Sequence, residues 1–62
     1  MKYEVFSIYD SAVGAYMRPL FCRSVGEALR LFTNECMDAS SPIGKSPTDY
    51  SLFRIGTFED GE

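Results

Sequence analysis

The first apolar stretch of the chain covers residues 2–9 and is rich in β-branched and aromatic side chains. Apolar side chains occur at both odd-numbered and even-numbered positions, so both faces of a strand here would be partly apolar. Such a strand is typical of the middle of a sheet, with a helix on one face and a partner or ligand on the other. The two faces are Tyr3, Val5, Ser7 and Tyr9 on one side and Glu4, Phe6 and Ile8 on the other.

A turn and a second strand follow. Residues 10–14 are turn formers, and Gly14 can take the positive φ that closes a hairpin. Residues 16–23 return as the second strand. Pro19 cannot donate a hydrogen bond to a neighbouring strand, which predicts a sheet edge or a bulge at this point.

The spacing of apolar residues changes after residue 23 and predicts a helix over residues 25–37. Ser24 and Glu27 form a capping-box pattern, in which Ser24 accepts from the amide of Glu27 and Glu27 reaches back to the amide of Ser24. The stripe that we expect to face the sheet consists of Val25, Ala28, Leu29, Phe32 and Cys36.

Residues 39–49 are rich in Ser, Pro and Gly and are predicted to form a surface loop. Residues 50–58 form the third strand, and a regular alternation would place even-numbered positions on one face and odd-numbered positions on the other. The even-numbered face is Tyr50, Leu52, Arg54, Gly56 and Phe58, and the odd-numbered face is Ser51, Phe53, Ile55 and Thr57.

The order of elements predicts an α+β fold: a small antiparallel three-stranded sheet with one helix, ββαβ, in the spatial order 2-1-3. Residues 1–58 form the single domain, and residues 59–62 form an acidic carboxyl-terminal tail. The helix packs on one face of the sheet. The other face would expose Tyr and Phe side chains unless a second copy covered it, so we expect a homodimer that associates through the sheet or through an edge strand.

The small size of the chain supports the same expectation. A chain of 62 residues buries only ~60% of the surface of its unfolded form and needs a supplement to its core. With two cysteines and no histidine, a structural metal site is not expected. Cys22 and Cys36 are interpreted most simply as reduced, small hydrophobic residues. Association with a partner subunit remains the favoured supplement.

Charge and hydropathy limit the location and the partners. The net charge is −3, but Glu59, Asp60 and Glu62 lie in the tail, so residues 1–58 are neutral and can carry a local basic face. The sequence shows neither a secretory signal nor a membrane-spanning stretch, which indicates a cytosolic protein without a membrane partner.

Enzymatic chemistry finds no support in the sequence. The absence of histidine excludes Ser-His and Cys-His nucleophiles, and the glycines lack the spacing of a phosphate-binding loop. Carboxylate pairs would have to come from Glu4, Asp10, Glu35 or Asp49, which are interpreted as turn and surface acids. We therefore expect no enzyme, no catalytic residue, no metal and no cofactor.

A nucleic-acid-binding face is the remaining chemical hypothesis. Arg18 and Arg23 flank the apolar part of the second strand, and Arg54 alternates with aromatic residues on the third. Arginine interleaved with exposed tyrosine can hold single-stranded nucleic acid by neutralising phosphate and stacking on bases. The alternative interpretation is that six scattered basic residues belong to an ordinary solvated surface.

The order of features along the whole chain is more specific than any single motif. The succession is Tyr9-Asp10-Ser11, Tyr16, Pro19, Phe21, Gly26-Glu27-Ala28, Arg30, Phe32, Pro47, Asp49-Tyr50, Leu52-Phe53, Ile55-Gly56 and Phe58-Glu59-Asp60. It resembles the small nonstructural protein of gokushoviruses, bacteriophages of the microvirus family with circular single-stranded DNA genomes.

The resemblance implies a nonstructural protein that assists viral DNA replication, at the switch to synthesis of single-stranded genomes, in the cytoplasm of the infected bacterium. Under that hypothesis Arg18, Arg23 and Arg54 neutralise phosphate, and three tyrosines stack on bases of single-stranded DNA. The alternative is an adaptor that binds the viral replication initiator, a host replication protein or a capsid precursor without touching DNA. The three tyrosines are Tyr9, Tyr16 and Tyr50.

Overall fold

The computed structural model describes residues 1–61 and confirms the α+β class. The elements are β1 (Lys2–Asp10), β2 (Ala15–Tyr16), β3 (Leu20–Cys22), α1 (Val25–Met37), α2 (Pro42–Lys45), a 3-10 turn (Pro47–Asp49) and β4 (Tyr50–Glu59). Strand β1 is central and antiparallel to all its neighbours, with β2 and β3 along one edge and β4 along the other. The predicted second strand corresponds to β2 and β3 and the predicted third strand to β4, so the first strand lies between them as predicted.

The sheet has four strands, so the predicted three-stranded sheet is wrong in number. The predicted second strand divides into β2 and β3 at residues 17–19. Pro19 has no N–H to offer β1, which explains the break. At the break the Met17 N–H donates to the Ile8 carbonyl at 2.8 Å, and the Ser7 hydroxyl donates to the Met17 carbonyl at 2.8 Å. These bonds hold the connection against β1 although the strand is interrupted.

A bulge interrupts the alternation of β4. Val5 lies opposite Gly56 while Phe6 lies opposite Arg54, so Ile55 is an extra residue between two paired positions. An extra residue reverses the face on which every later side chain lies. The predicted regular alternation over residues 50–58 is therefore wrong beyond Arg54, and Phe58 shares a face with Phe53.

The core lies between the sheet and the helices. Its buried apolar residues come from both layers, and Leu20 and Leu52 pack against it from β3 and β4. Helix α1 contacts β3 and the short α2. The buried apolar residues are Phe6, Ile8, Cys22, Ala28 and Ile43.

Helix α1 covers residues 25–37 as predicted, but its packing is looser than its apolar stripe indicated. Ala28 is buried and Phe32 and Cys36 are partly buried, whereas Val25 and Leu29 are about half exposed. The prediction that all five face the core is wrong for these last two. The covered residues recur every four positions, so α1 buries one row of the stripe, Ala28, Phe32 and Cys36, where it meets β3 and α2.

The helix begins where the capping pattern predicted, with one change of partner. The Glu27 N–H donates to Ser24 Oγ at 3.2 Å, as expected for an N-cap. The Glu27 carboxylate, however, accepts from the backbone N–H of Arg23 at 2.7 Å rather than from that of Ser24. The reciprocal half of the predicted capping box is therefore wrong by one residue.

The predicted surface loop at residues 39–49 contains α2 and the 3-10 turn. Ser41 caps α2 by accepting from the Gly44 N–H at 3.0 Å, and Ile43 is carried into the core. Gly44 crosses the end of α1 so closely that a Cβ there would stand 1.7 Å from the Asp38 carbonyl oxygen. Only a glycine permits this approach, which brings α2 over the core.

The chain buries less of its surface than is usual for its size. Its accessible surface is 4489 Å², whereas a monomer of this mass has about 4,000 Å². Its Cα radius of gyration is 12.4 Å, against about 11 Å for a compact chain of this length. Large apolar side chains are about half exposed on both layers of the fold, on α1 and on the sheet.

Candidate binding surface on the open sheet face

The face of the sheet turned away from α1, here called the open face, is aromatic and carries no charge at its strand positions within residues 1–61. Cross-strand pairs define its members, because directly paired residues in an antiparallel sheet share a face. The members are Tyr3, Val5, Ser7, Tyr9, Tyr16, Phe21, Ser51, Phe53, Gly56 and Phe58.

Six aromatic rings on the open face form two clusters, one toward each end of the sheet. In the Phe21 cluster, ring centroids are 5.4 Å apart for Phe21 and Phe58 and 6.3 Å apart for Phe21 and Tyr3. These two pairs meet edge to face, the arrangement that aromatic quadrupoles favour. Ser7 is buried between the two ends of the sheet, where its hydroxyl bonds to the neighbouring connection.

The Tyr16 cluster lies at the other end. Tyr16 is 5.0 Å from Tyr9 and 6.0 Å from Phe53 between ring centroids, again with edge-to-face contacts. Gly14 adopts φ of 74° in the preceding turn, as predicted, and this turn returns the chain so that β2 places Tyr16 opposite Tyr9. The bulge at Ile55 then brings both phenylalanines of β4 to the same face.

These rings remain accessible although they touch one another. Tyr16, Phe21, Phe53 and Phe58 are between 45 and 57% exposed. Since an aromatic side chain offers ~200 Å², four half-exposed rings leave on the order of 400 Å² of aromatic surface. A patch of that size on a small protein is commonly a binding surface.

Two of the predicted arginines flank β3 at the edge of the sheet, Arg18 before it and Arg23 after it. Arg23 follows β3 directly and forms an exposed ion pair with Glu27, at 3.0 Å between Nη2 and Oε2. The hydrogen bond to Glu27 and the negative charge of Glu27 raise the pKa of Arg23, whose guanidinium is positively charged at physiological pH in any case. Arg18 is exposed in the connection between β2 and β3, two residues beyond Tyr16, and forms no ion pair within residues 1–61.

The third predicted arginine lies on the opposite face. Arg54 pairs with Phe6 across the ladder, and its Nε donates to Glu4 Oε1 at 2.7 Å on the helix side of the sheet. That ion pair holds the guanidinium away from the aromatic clusters. Arg54 is therefore not brought together with Arg18 and Arg23.

Tyr50 also lies on the helix side, opposite Asp10. Burial raises the pKa of the Tyr50 phenol, and the negative charges of Asp10 and Asp49 raise it further. The phenol is thus neutral at physiological pH and stands beside two carboxylates. This setting differs from that of Tyr9 and Tyr16, which the structure brings into one cluster.

Sequence reasoning thus selected two of the six rings on the open face and missed the other four. The alternation of β1 could have added Tyr3, because it shares a face with Tyr9. Strand alternation could not have placed Phe58 on the same face as Phe53, because the bulge between them reverses the alternation. The four missed rings are Tyr3, Phe21, Phe53 and Phe58.

The thiols and carboxylates elsewhere in the described chain do not form a reactive site. Cys22 and Cys36 are free thiols, and burial together with the charge of Glu27 raises the pKa of Cys22. Asp10 accepts from the Ala12 N–H at 3.0 Å and so stabilises the hairpin turn. Among residues 1–61 no three potential ligands are grouped as a metal site, and no helix is long and apolar enough to span a membrane.

Comparison with known proteins identifies a phage family. The family model described as Phage ORF5 protein matches residues 3–62, which is nearly the whole chain. Searches of curated proteins and of solved structures found no match. Because the match leaves out only the first two residues and includes both aromatic clusters, the chain belongs to the Phage ORF5 protein family.

Proposed function

We propose that this protein is a non-enzymatic, nonstructural phage protein that assists viral DNA replication at the switch to single-stranded genome synthesis. It would act in the cytoplasm of the infected bacterium, as a homodimer and without a cofactor. Membership of a phage family supports the phage context. The resemblance to gokushovirus nonstructural proteins supports the replication role.

The observation that carries a binding role is the open face, with six aromatic rings in two clusters. Single-stranded DNA exposes the faces of its bases, and exposed aromatic side chains are the usual platform on which such bases stack. Double-stranded DNA keeps its bases stacked internally and has no such faces to offer. The open face therefore favours single-stranded over double-stranded DNA.

Few phosphate contacts are available to this face. Arg18 and Arg23 flank β3 at the edge of the sheet, and the exposed ion pair of Arg23 with Glu27 is weak enough to exchange for a phosphate. For single strands, two phosphate contacts correspond to a slope of about −1.4 in a plot of log K against log salt concentration. Binding should thus depend on stacking more than on charge, as suits a chain with a net charge of −3.

The test is fluorescence anisotropy of a labelled single-stranded oligonucleotide at low and at physiological salt, with a duplex as control. Replacing Tyr16 by Ala should weaken binding by roughly 5- to 150-fold, because stacking on one aromatic contributes ~1–3 kcal/mol. Leu29→Ala is the matched control, since Leu29 is similarly exposed but lies on α1. It should leave the affinity unchanged.

The arginines provide a second, independent readout. The double variant Arg18→Ala and Arg23→Ala should flatten the salt dependence, whereas Arg54→Ala should leave it unchanged because Arg54 faces the helix side. Equal effects of all three substitutions would contradict the assignment of the open face. Absence of single-strand binding at both salt concentrations would contradict direct contact with DNA.

A second candidate function is a protein-interaction adaptor that binds the viral replication initiator, a host replication protein or a capsid precursor. The uncharged strand positions of the open face favour it, since the centres of protein interfaces are poor in charge and rich in Tyr and Phe. Titration calorimetry with the purified initiator tests it. Binding that is lost in Tyr16→Ala, without DNA binding by the wild type, would support the adaptor.

A further inference from the structure

Strand β4 has one edge paired with β1 and one edge without a neighbour within residues 1–61. Asp60 exchanges both backbone hydrogen bonds with Met1. Because backbone direction alternates along a strand, Phe58 and Gly56 also point their N–H and C=O groups toward β1. Thr57 and Glu59 must then point theirs outward, where they can bind another strand.

Natural proteins protect such edges with prolines, charged side chains, β-bulges or short strands. β4 is ten residues long and contains neither proline nor lysine, and its two charged residues, Arg54 and Glu59, have opposite signs. Its bulge bends the strand at Ile55, but the segment that follows, residues 56–59, is regular. This segment is the one whose outward backbone groups were identified above.

We propose that β4 pairs antiparallel with β4 of a second copy, about a two-fold axis at Thr57. In this register Gly56 lies opposite Phe58 of the second copy, which lets an aromatic ring cover a glycine. Arg54 meets Glu59 of the second copy once the bulged Ile55 is skipped, so opposite charges are paired. In each pair the two residues share a face, as an antiparallel ladder requires: the open face for Gly56 and Phe58, and the helix side for Arg54 and Glu59.

The self-complementary register is the reason to choose a second copy as the occupant. A foreign strand would need the same spacing of glycine, aromatic residue and opposite charges, whereas a second copy supplies it by symmetry. The accessible surface of 4489 Å², about a tenth above that of a typical monomer, also indicates that the protein has surface to bury.

The consequence is one continuous sheet with both open faces on the same side. Each Phe58 would lie beside the two-fold axis, so the two Phe21 clusters would adjoin at the centre. This inference rests on the proposed function in one respect, since it names the dimer that would present the binding surface. Two protomers would then offer single-stranded DNA or a partner protein one long aromatic surface.

The test is sedimentation velocity of the full chain over a range of concentrations. Thr57→Lys places two like charges at the axis, and it should weaken dimerisation at least tenfold, while Glu4 offers the new lysine a partner within its own chain. Thr33→Lys makes the same change at an exposed position of α1 and should leave the dimer intact.

A second variant tests the backbone directly. Thr57→Pro removes an N–H that points away from β1, so it should abolish dimerisation while circular dichroism shows the fold retained. Cross-linking adds a positive result: Thr57→Cys in a Cys36→Ser background should oxidise readily to a dimer, because paired Cα atoms lie ~5.5 Å apart, within disulfide range. Thr33→Cys in the same background should not.

Two outcomes would overturn the inference. One is a wild type that stays monomeric at every concentration measured. The other is a dimer that survives both Thr57 variants but dissociates in Phe21→Ser, which would mean that the open faces stack on each other. Anisotropy with single-stranded DNA, measured on the monomeric Thr57→Lys, separates failure of the dimer from failure of the proposed binding function.

Discussion

Both faces of the sheet are apolar, but one is buried beneath the helices and the other is exposed. The helix side holds Phe6, Ile8 and Cys22, all buried beneath α1 and α2. The open face holds six aromatic rings, of which four are about half exposed. Apolar content alone therefore does not identify the core face of this sheet.

Charge distinguishes the faces in a way that hydropathy does not. The charged strand residues all lie on the covered side, at its rim, where Glu4 and Arg54 bind each other. A core face tolerates charges at its rim because they reach solvent or pair, whereas a face kept free of charge over its whole area is built to be covered by something else. The charged strand residues of the covered side are Lys2, Glu4, Asp10, Arg54 and Glu59.

The same substitution on the two faces should give the largest contrast. Phe6 is 3% exposed and Phe21 is 54% exposed. Phe6→Ala should lower the free energy of unfolding by roughly 3–5 kcal/mol through the cavity it creates, enough to unfold a domain of this size. Phe21→Ala should cost about 1 kcal/mol or less. Urea denaturation followed by circular dichroism measures both, and similar losses would show that the open face is part of the core.

Two glycines provide the next contrast. At Gly44, under the cover of the helix side, an added Cβ would collide with the Asp38 backbone, while at Gly56 on the open face it would meet nothing within 4 Å. Gly44→Ala should destabilise the fold by roughly 1–3 kcal/mol or more, because the backbone must move. Gly56→Ala should change stability by less than about 0.5 kcal/mol. A tolerated Gly44→Ala in thermal melting would mean that α2 does not cross α1 this closely.

Removing the N-cap of α1 should have a smaller effect on the free energy of unfolding than the changes at Phe6 and Gly44. Ser24→Ala should lower the free energy of unfolding by ~1 kcal/mol through loss of the bond from the Glu27 N–H, whereas Ser24→Gly should cost only a few tenths. Neither variant should change ligand binding, because the cap is remote from the Tyr16 cluster. Equal stability of wild type and Ser24→Ala in urea would show that the bond contributes nothing.

The smallest expected effect is a dependence of stability on acid pH. The N–H of Arg23, and then its guanidinium, hold the pKa of Glu27 below its usual value, and bonds from Ser40 do the same for Asp38. The unfolded chain therefore takes up these protons first. The stabilisation is present above about pH 4.3, the usual pKa of Glu, and is lost as the pH falls through the folded value.

Glu27→Gln should reduce this pH dependence in thermal melts between pH 3 and 6. Arg23→Gln should preserve more of it, because the backbone N–H, which is the largest cause of the lowered pKa, remains. If Arg23→Gln removed the dependence completely, the ion pair rather than the backbone bond would be responsible.

Much of the fold followed from local patterns. The β-branched and aromatic residues of β1, the glycine in the hairpin turn and the cap at Ser24 predicted the first strand, the turn and α1 within a residue or two. These features depend on neighbours in sequence, and neighbours suffice to predict them. The short α2 escaped prediction because four residues with Pro and Gly have little helical preference of their own, and packing of Ile43 into the core stabilises them.

The candidate binding surface was only partly foreseeable. Tyr9 and Tyr16 were selected from their strands and lie 5.0 Å apart, whereas Tyr50 and Arg54 came from the same reasoning and lie on the other face. Strand alternation shows which residues of one strand lie on the same side of it. It does not show which of the two faces of the sheet that side belongs to. That choice depends on register between strands, which the sequence of one strand does not contain.

The order of apolar and polar positions along the chain predicted a small α+β domain with apolar residues on both sides of its first strand, and the composition showed that it lacks histidine. Local interactions are sufficient for that much. Pro19 predicted a sheet edge or a bulge, but the pairing with β1 decided that the strand breaks there and that the bulge lies at Ile55. Both features are defined by the partner strand. The bulge alone moves Phe58 beside Phe21, and so the aromatic surface exists only once distant parts of the chain have paired.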